Sequence, residues 1–270
     1  MINALLLTVL LLLAAVPAKA MDLTDIWYNP AESGWGVNLV QSYDFLFATF
    51  FIYGSNGLPT WYTAQMTWDE ASSAFKGPLY ATTGTGFAFP WQPGNFSIVP
   101  VGNASFALAP NSAYRGTLSY SVTAIGANVL KQIERQTLKR IELGGAYSGA
   151  QYGEYYNCTD STRNRTYVDT FDLDVTLGSD NRVTLSFAYG SDLTCTLTGT
   201  VEQHGSLYRI PLVPGATYRC SDGLDTTANV YELKATSMGI EGRFFAPSVG
   251  LGCSEVAKFS AVYVYGSPAQ

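Results

Sequence analysis

All five tryptophans of the chain lie between Trp27 and Trp91, and all four cysteines lie between Cys158 and Cys253. Segregation of this kind divides the chain into two units of different chemistry. The N-terminal unit is expected to be held by aromatic packing and the C-terminal unit to be stapled by disulfides.

The first twenty residues do not belong to either unit. Leu5 to Ala15 is an apolar run and Ala18-Lys19-Ala20 is a small-x-small site before Met21. This is the pattern of a secretory signal peptide, although no Lys or Arg precedes the apolar run. About eleven apolar residues are too few for a spanning helix, which needs roughly 20. No later stretch approaches that length, so the expectation is an exported protein, periplasmic or secreted, without an integral membrane segment after cleavage. The domains are then 1–20 for the leader, 21–142 for the Trp-rich unit and 143–270 for the cysteine-bearing unit, with the boundary at Leu143-Gly144-Gly145.

Only 13% of the residues are charged, about half the usual share, while 14% are aromatic and 26 are glycine. That balance points to sheet rather than helix. The net charge of −6 comes with no basic stripe, which argues against nucleic acid as a partner. An even cysteine count in an exported chain favours disulfides, and no C-x-x-C spacing supports zinc or redox chemistry. Four cysteines allow three connectivities. Cys195–Cys220, across neighbouring strands, with Cys158–Cys253, joining the start of the unit to its end, is the favoured set.

Strand signals dominate. Phe45 to Tyr53 is an aromatic and β-branched run ending at Gly54-Ser55-Asn56-Gly57, where Asn56-Gly57 predicts a hairpin. Thr60 to Thr67 returns, and Phe75 to Tyr80 follows. Thr82 to Gly94 reads as a Gly- and Pro-rich loop. Ser97 to Val101, Ala104 to Leu108 and Gly116 to Thr123 are further strands, and residues 129–142 are expected to be extended as well. In the second unit, Phe171, Leu173, Val175 and Leu177 alternate with Asp172, Asp174 and Thr176, giving one apolar and one polar face. Short strands with turns about every 8–12 residues predict an all-β fold of two antiparallel meander domains, barrels or sandwiches.

Trp27-Tyr28-Asn29-Pro30-Ala31-Glu32-Ser33-Gly34-Trp35-Gly36 is distinctive, as is Gly57-Leu58-Pro59-Thr60-Trp61-Tyr62. With Gly77-Pro78-Leu79-Tyr80, Pro90-Trp91 and Glu134-Arg135-Gln136, these stretches resemble a β-rich module common in exported proteobacterial proteins. The resemblance covers about residues 25–138 and implies compartment and fold class, but no reaction. Trp27-Tyr28-Asn29 also resembles the opening strand of avidin-type barrels, which hold a small ligand inside.

The candidate ligand site is accordingly aromatic: Trp27, Trp35, Trp61, Tyr62 and Trp91, with Glu32 as a polar contact and the Trp91 loop over a barrel mouth. The competing reading is that these rings fill a core. His204, the single histidine, sits in a predicted turn and cannot build a two-histidine metal site. No G-x-S-x-G, calcium loop or nucleotide motif occurs, so no cofactor, metal site or catalytic residue is expected. Asp172 and Asp174, with Asp169 nearby, are the carboxylates a hydrolase would use. The leading expectation is a non-catalytic binding protein for a small apolar molecule or a glycan. The alternatives are a structural or interaction module with a cell-envelope protein partner, including an inhibitor, and an acid-dependent hydrolase.

Overall fold

The computed structural model describes residues 21–190 and 192–264, so the leader expected over residues 1–20 lies outside them. The chain divides into two compact units between Glu134 and Arg135. Both are all-β, and each is an antiparallel eight-stranded barrel built as a meander.

The first barrel runs through β1 (Asp25–Tyr28), β2 (Gly36–Ser42), β3 (Phe45–Tyr53), β4 (Pro59–Asp69), β5 (Ala74–Thr83), β6 (Ser97–Leu108), β7 (Arg115–Val122) and β8 (Ala127–Arg135), each beside the next, and closes on itself. The Asn56-Gly57 turn forms as the residue types demand: Gly57 has φ +74° and Asn56 Oδ1 accepts from the Leu58 amide at 3.0 Å. Two expected strands in residues 97–108 are one continuous β6. Its pairing with β5 reaches Thr83↔Ser97, so the loop begins at Gly84 rather than Thr82. Extended backbone over residues 129–142 stops at Arg135. The residues beyond it bond into the second unit, as Thr137 Oγ1 does in accepting from the Gly205 amide at 2.9 Å. The division therefore falls ahead of Leu143-Gly144-Gly145.

Period-two alternation points every second side chain inward. Inside the first barrel lie Val37 and Leu39 of β2, Leu46, Ala48 and Phe50 of β3, and Ala64 and Met66 of β4, all buried. Trp27 sits among them against Phe106, with ring centroids 5.0 Å apart and planes at 70°. Its indole N–H donates to the Leu23 carbonyl at 3.0 Å, so the one polar atom of this large side chain is satisfied.

The second barrel runs through β9 (Gly145–Tyr156), β10 (Arg165–Leu177), β11 (Arg182–Tyr189), a fourth strand in two pieces, β12 (Thr194–Thr200) and β13 (Glu202–His204), and a fifth in two pieces, β14 (Leu207–Ile210) and β15 (Ala216–Cys220). β16 (Asp225–Ala235), β17 (Gly239–Val249) and β18 (Cys253–Tyr263) complete the ring, β18 pairing with β9. β16 pairs end to end with β15 and β14 on one side and with β17 on the other. Phe171, Phe187 and Phe259 fill the middle, with centroids 5.1, 6.1 and 5.3 Å apart and planes at 80–82°. The disulfides join Cys158 to Cys253 and Cys195 to Cys220, the favoured set.

Trp27→Ala is expected to cost the first barrel roughly 3–5 kcal/mol, the range for truncating a buried aromatic. Urea unfolding followed by tryptophan emission reads this unit alone, because every tryptophan lies in it. A loss under about 1 kcal/mol would show that Trp27 is not a core residue.

Candidate functional site

Of the six residues singled out in the first unit, Glu32 and Trp35 are in direct contact. Trp27 is fully buried. Glu32 accepts from the Trp35 indole at 3.1 Å and from the Lys131 ammonium at 2.6 Å, and that ammonium lies 5.8 Å from the Trp35 ring centroid. The Lys131 hydrogen bond holds Glu32 below its ordinary pKa. This cluster ties the β1–β2 loop to β8. Tyr62 packs against the core, whereas its neighbour Trp61 is 49% exposed on the outer face opposite Phe51. Trp91 is 62% exposed in the loop 84–96, its ring 6.4 Å from Phe96. Thr85 organises that loop, its hydroxyl accepting from the Gln92 amide at 2.9 Å. A surface groove bordered by Lys76, Asn103, Tyr120 and Leu130 contains none of the six.

A polar, concave feature lies in the second barrel. One end of its interior is an open cavity of about 630 Å³. Tyr155, Tyr167, Tyr189 and Tyr218 line it, with Gln151 and Glu255 deep inside and Asp169, Arg163 and Arg165 toward the rim. Strand register explains the arrangement. Three rows cross β10, β9 and β18 in turn: Arg165–Tyr155–Glu255, Tyr167–Gly153–Ala257 and Asp169–Gln151–Phe259. All point inward, so positions two apart on each strand build successive tiers.

Gly153 gives this site its shape. A Cβ there would lie 2.2–2.4 Å from the Tyr167 ring and hydroxyl, so only glycine lets Tyr167 lie across β9. From that position the Tyr167 hydroxyl donates to the Glu255 carboxylate on the far side. Gln151 Nε2 donates to the Tyr167 hydroxyl at 3.3 Å, and the Tyr189 hydroxyl donates to Gln151 Oε1 at 2.9 Å. The chain Tyr189–Gln151–Tyr167–Glu255 links successive tiers into one network, which satisfies groups that burial would otherwise leave costly. Tyr155 stacks on Tyr167 with centroids 4.9 Å apart, and the Arg165 guanidinium sits 5.6 Å from the Tyr155 centroid.

Glu255 is 2% exposed. Burial pushes its carboxyl from 4.5 up to about 7; the Tyr167 hydrogen bond opposes that rise and the Asp169 charge adds to it. The phenols are likewise driven away from ionisation. Burial raises Tyr155 to about 12, and Tyr167, Tyr189 and Tyr218 higher still, with the Glu255 charge next in effect. At neutral pH the cavity therefore offers four neutral phenols and their ring faces, with one carboxyl near its midpoint and Asp169 beside it. Such a lining can hold a planar molecule by stacking and fix its orientation by hydrogen bonds. Asp172 and Asp174 are exposed on the outer face of β10, whereas Asp169 points inward. His204 lies at the end of β13, 3.5 Å from Glu202, away from the cavity. Among the described residues no group of three or more His, Cys, Asp or Glu is placed to hold a metal, and no helix is long and apolar enough to cross a membrane.

No protein-family model and no curated protein matches the chain. Among solved structures it is similar to a protein of unknown function of the DUF3598 family from Nostoc punctiforme. The TM-score is 0.30 and the identity 11%, over 88% of this chain and 93% of that one.

Glu255 couples the site to pH. Between about pH 4.5 and 7 the folded protein keeps a proton that the unfolded chain has lost, so this group's stabilisation falls as pH rises through that window. Relative to Glu255→Gln, the wild type should lose roughly 3 kcal/mol across it. Urea titrations of both proteins at several pH values, followed by far-UV circular dichroism, measure this. A difference that stays flat would mean that Glu255 ionises at its ordinary value.

Proposed function

We propose that the protein is a non-catalytic binding protein and that its site is the tyrosine-lined mouth of the second barrel. The observation that carries this reading is the contrast within one barrel: its middle is packed with phenylalanine, while one end is left open and lined with hydrogen-bonding groups around a volume suited to a small molecule. A glycan ring or a planar aromatic compound fits that lining, since both stack on phenol rings and both take hydrogen bonds at their edges. A disulfide-bonded mouth with a hydrophobic leader ahead of it supports an extracytoplasmic location, in keeping with the resemblance of residues 25–138 to an exported module.

Asp169 and Glu255 share the cavity, and this favours one second reading, acid–base hydrolysis of a glycoside with Glu255 as the acid. It ranks lower because the Glu255 carboxyl is sequestered by Tyr167 and nearly closed to solvent.

Thermal unfolding against a panel of monosaccharides, oligosaccharides and small aromatic compounds tests both. A ligand at about 100 times its Kd adds roughly 2.7 kcal/mol, a shift of a few degrees. That shift is expected to vanish in Tyr218→Ala and to survive in Trp61→Ala and Trp91→Ala. Survival in Tyr218→Ala together with loss in Trp91→Ala would move the site to the first barrel. Release of nitrophenolate from aryl glycosides, lost in Asp169→Asn, would decide for hydrolysis.

A further inference from the structure

The lining of the second barrel's mouth carries a sign as well as a shape. Four carboxylates border the cavity, Asp169, Asp222, Asp225 and Glu255, against two guanidinium groups, Arg163 and Arg165. Two of these six charges are already committed at the rim. Arg163 lies 3.5 Å from Asp160, and Asp225 lies 3.1 Å from Arg219. Asp169 and Glu255 have no ion-pair partner among the described residues, and their mutual repulsion is part of what holds the Glu255 proton. A positive group placed between them relieves that repulsion; a neutral or negative one does not.

The rings add to this preference. Tyrosine faces attract cations through the ring quadrupole, and the attraction grows where water is excluded. The chain itself demonstrates it: Arg165, at the rim end of the row Arg165–Tyr155–Glu255, already seats its guanidinium over the Tyr155 ring. Deeper in, Tyr189 and Tyr218 face the same space with their hydroxyls in neutral form. The two disulfides hold the strands that carry these groups. Cys195–Cys220 joins β12 to β15, and Cys158–Cys253 anchors the start of β18 two residues before Glu255.

We infer that the ligand of this cavity is an organic cation, an amine or quaternary ammonium compound, seated against the tyrosine faces with Asp169 as the counter-charge it meets and Glu255 adding its field from behind Tyr167. This deepens the binding reading above and rests on it.

The test is isothermal titration of the full chain at pH 8 with pairs of probes that match in shape and differ in charge. Choline is compared with 3,3-dimethylbutan-1-ol, and benzyltrimethylammonium with benzyl alcohol. The cation of each pair is expected to bind roughly tenfold or more tighter than its neutral mate. Asp169→Asn and Glu255→Gln should each weaken the cation by about tenfold and leave the neutral compound unchanged. Trp61→Phe, an exposed position in the first barrel, serves as the folded control that retains cation binding. Equal affinity for both members of a pair, or cation binding untouched by both carboxylate variants, overturns the cation assignment while the binding site stands. Failure of the cations together with tight binding of a neutral sugar or aromatic compound does the same. No binding of any probe at millimolar concentration, with folded protein by circular dichroism, brings down the binding reading as well.

Discussion

An eight-stranded barrel has an interior just wide enough to be filled by side chains or to hold one small ligand. That limit on internal volume governs both halves of the molecule. The first barrel is filled: Trp27, Phe50, Phe75 and Phe106 are all buried, and the Trp27–Phe106 edge-to-face contact runs across its interior. The second barrel is filled only in part. Its phenylalanines occupy the middle, and the tiers beyond them are tyrosine, glutamine and carboxylate. Polar side chains in such a place need partners, and here they find them in one another along Tyr189–Gln151–Tyr167–Glu255.

Small residues on β9 make that network feasible. Its inward positions run Gly145, Tyr147, Gly149, Gln151, Gly153, Tyr155, so glycine alternates with a large side chain. Alternation of small and large residues is how a tapering barrel is packed. On β9 it has a second result, because the vacancy at Gly153 admits a side chain from β10 and connects it to β18. A methyl group at that one position would collide with the Tyr167 ring and so part its hydroxyl from Glu255.

The fold was legible because strand alternation and turn chemistry are local. Asn56-Gly57 marked its hairpin, the β10 run from Phe171 to Leu177 showed which face is apolar, and cysteine spacing pointed to a bridge between neighbouring strands. The site was not legible, for reasons that lie in particular residues. β9 has glycine at four-residue intervals and no β-branched residue, so its strand signal rests on tyrosines alone and is weak. With β9 unseen, Gln151 and Tyr155 had no neighbours. Asp169 was grouped with Asp172 and Asp174, yet an offset of three puts it on the opposite face of the strand. The tryptophans drew attention because they are large and rare, and they are dispersed among a core position, a loop clamp at Trp35 and exposed sites at Trp61 and Trp91.

An open, polar barrel end gains little from apolar burial, and covalent links make up for that. Three of the four cysteines border the cavity, and both bridges lie at that end. In the chain-entropy view, closing loops with sequence separations of 25 and 95 contributes on the order of 3 and 4–5 kcal/mol. That is comparable with the cost of keeping a carboxyl such as Glu255 out of water. The stabilisation comes from constraining the unfolded chain and asks no apolar packing of the cavity walls. With its thiols reduced, the second barrel would keep its phenylalanine middle and lose the constraint on its mouth.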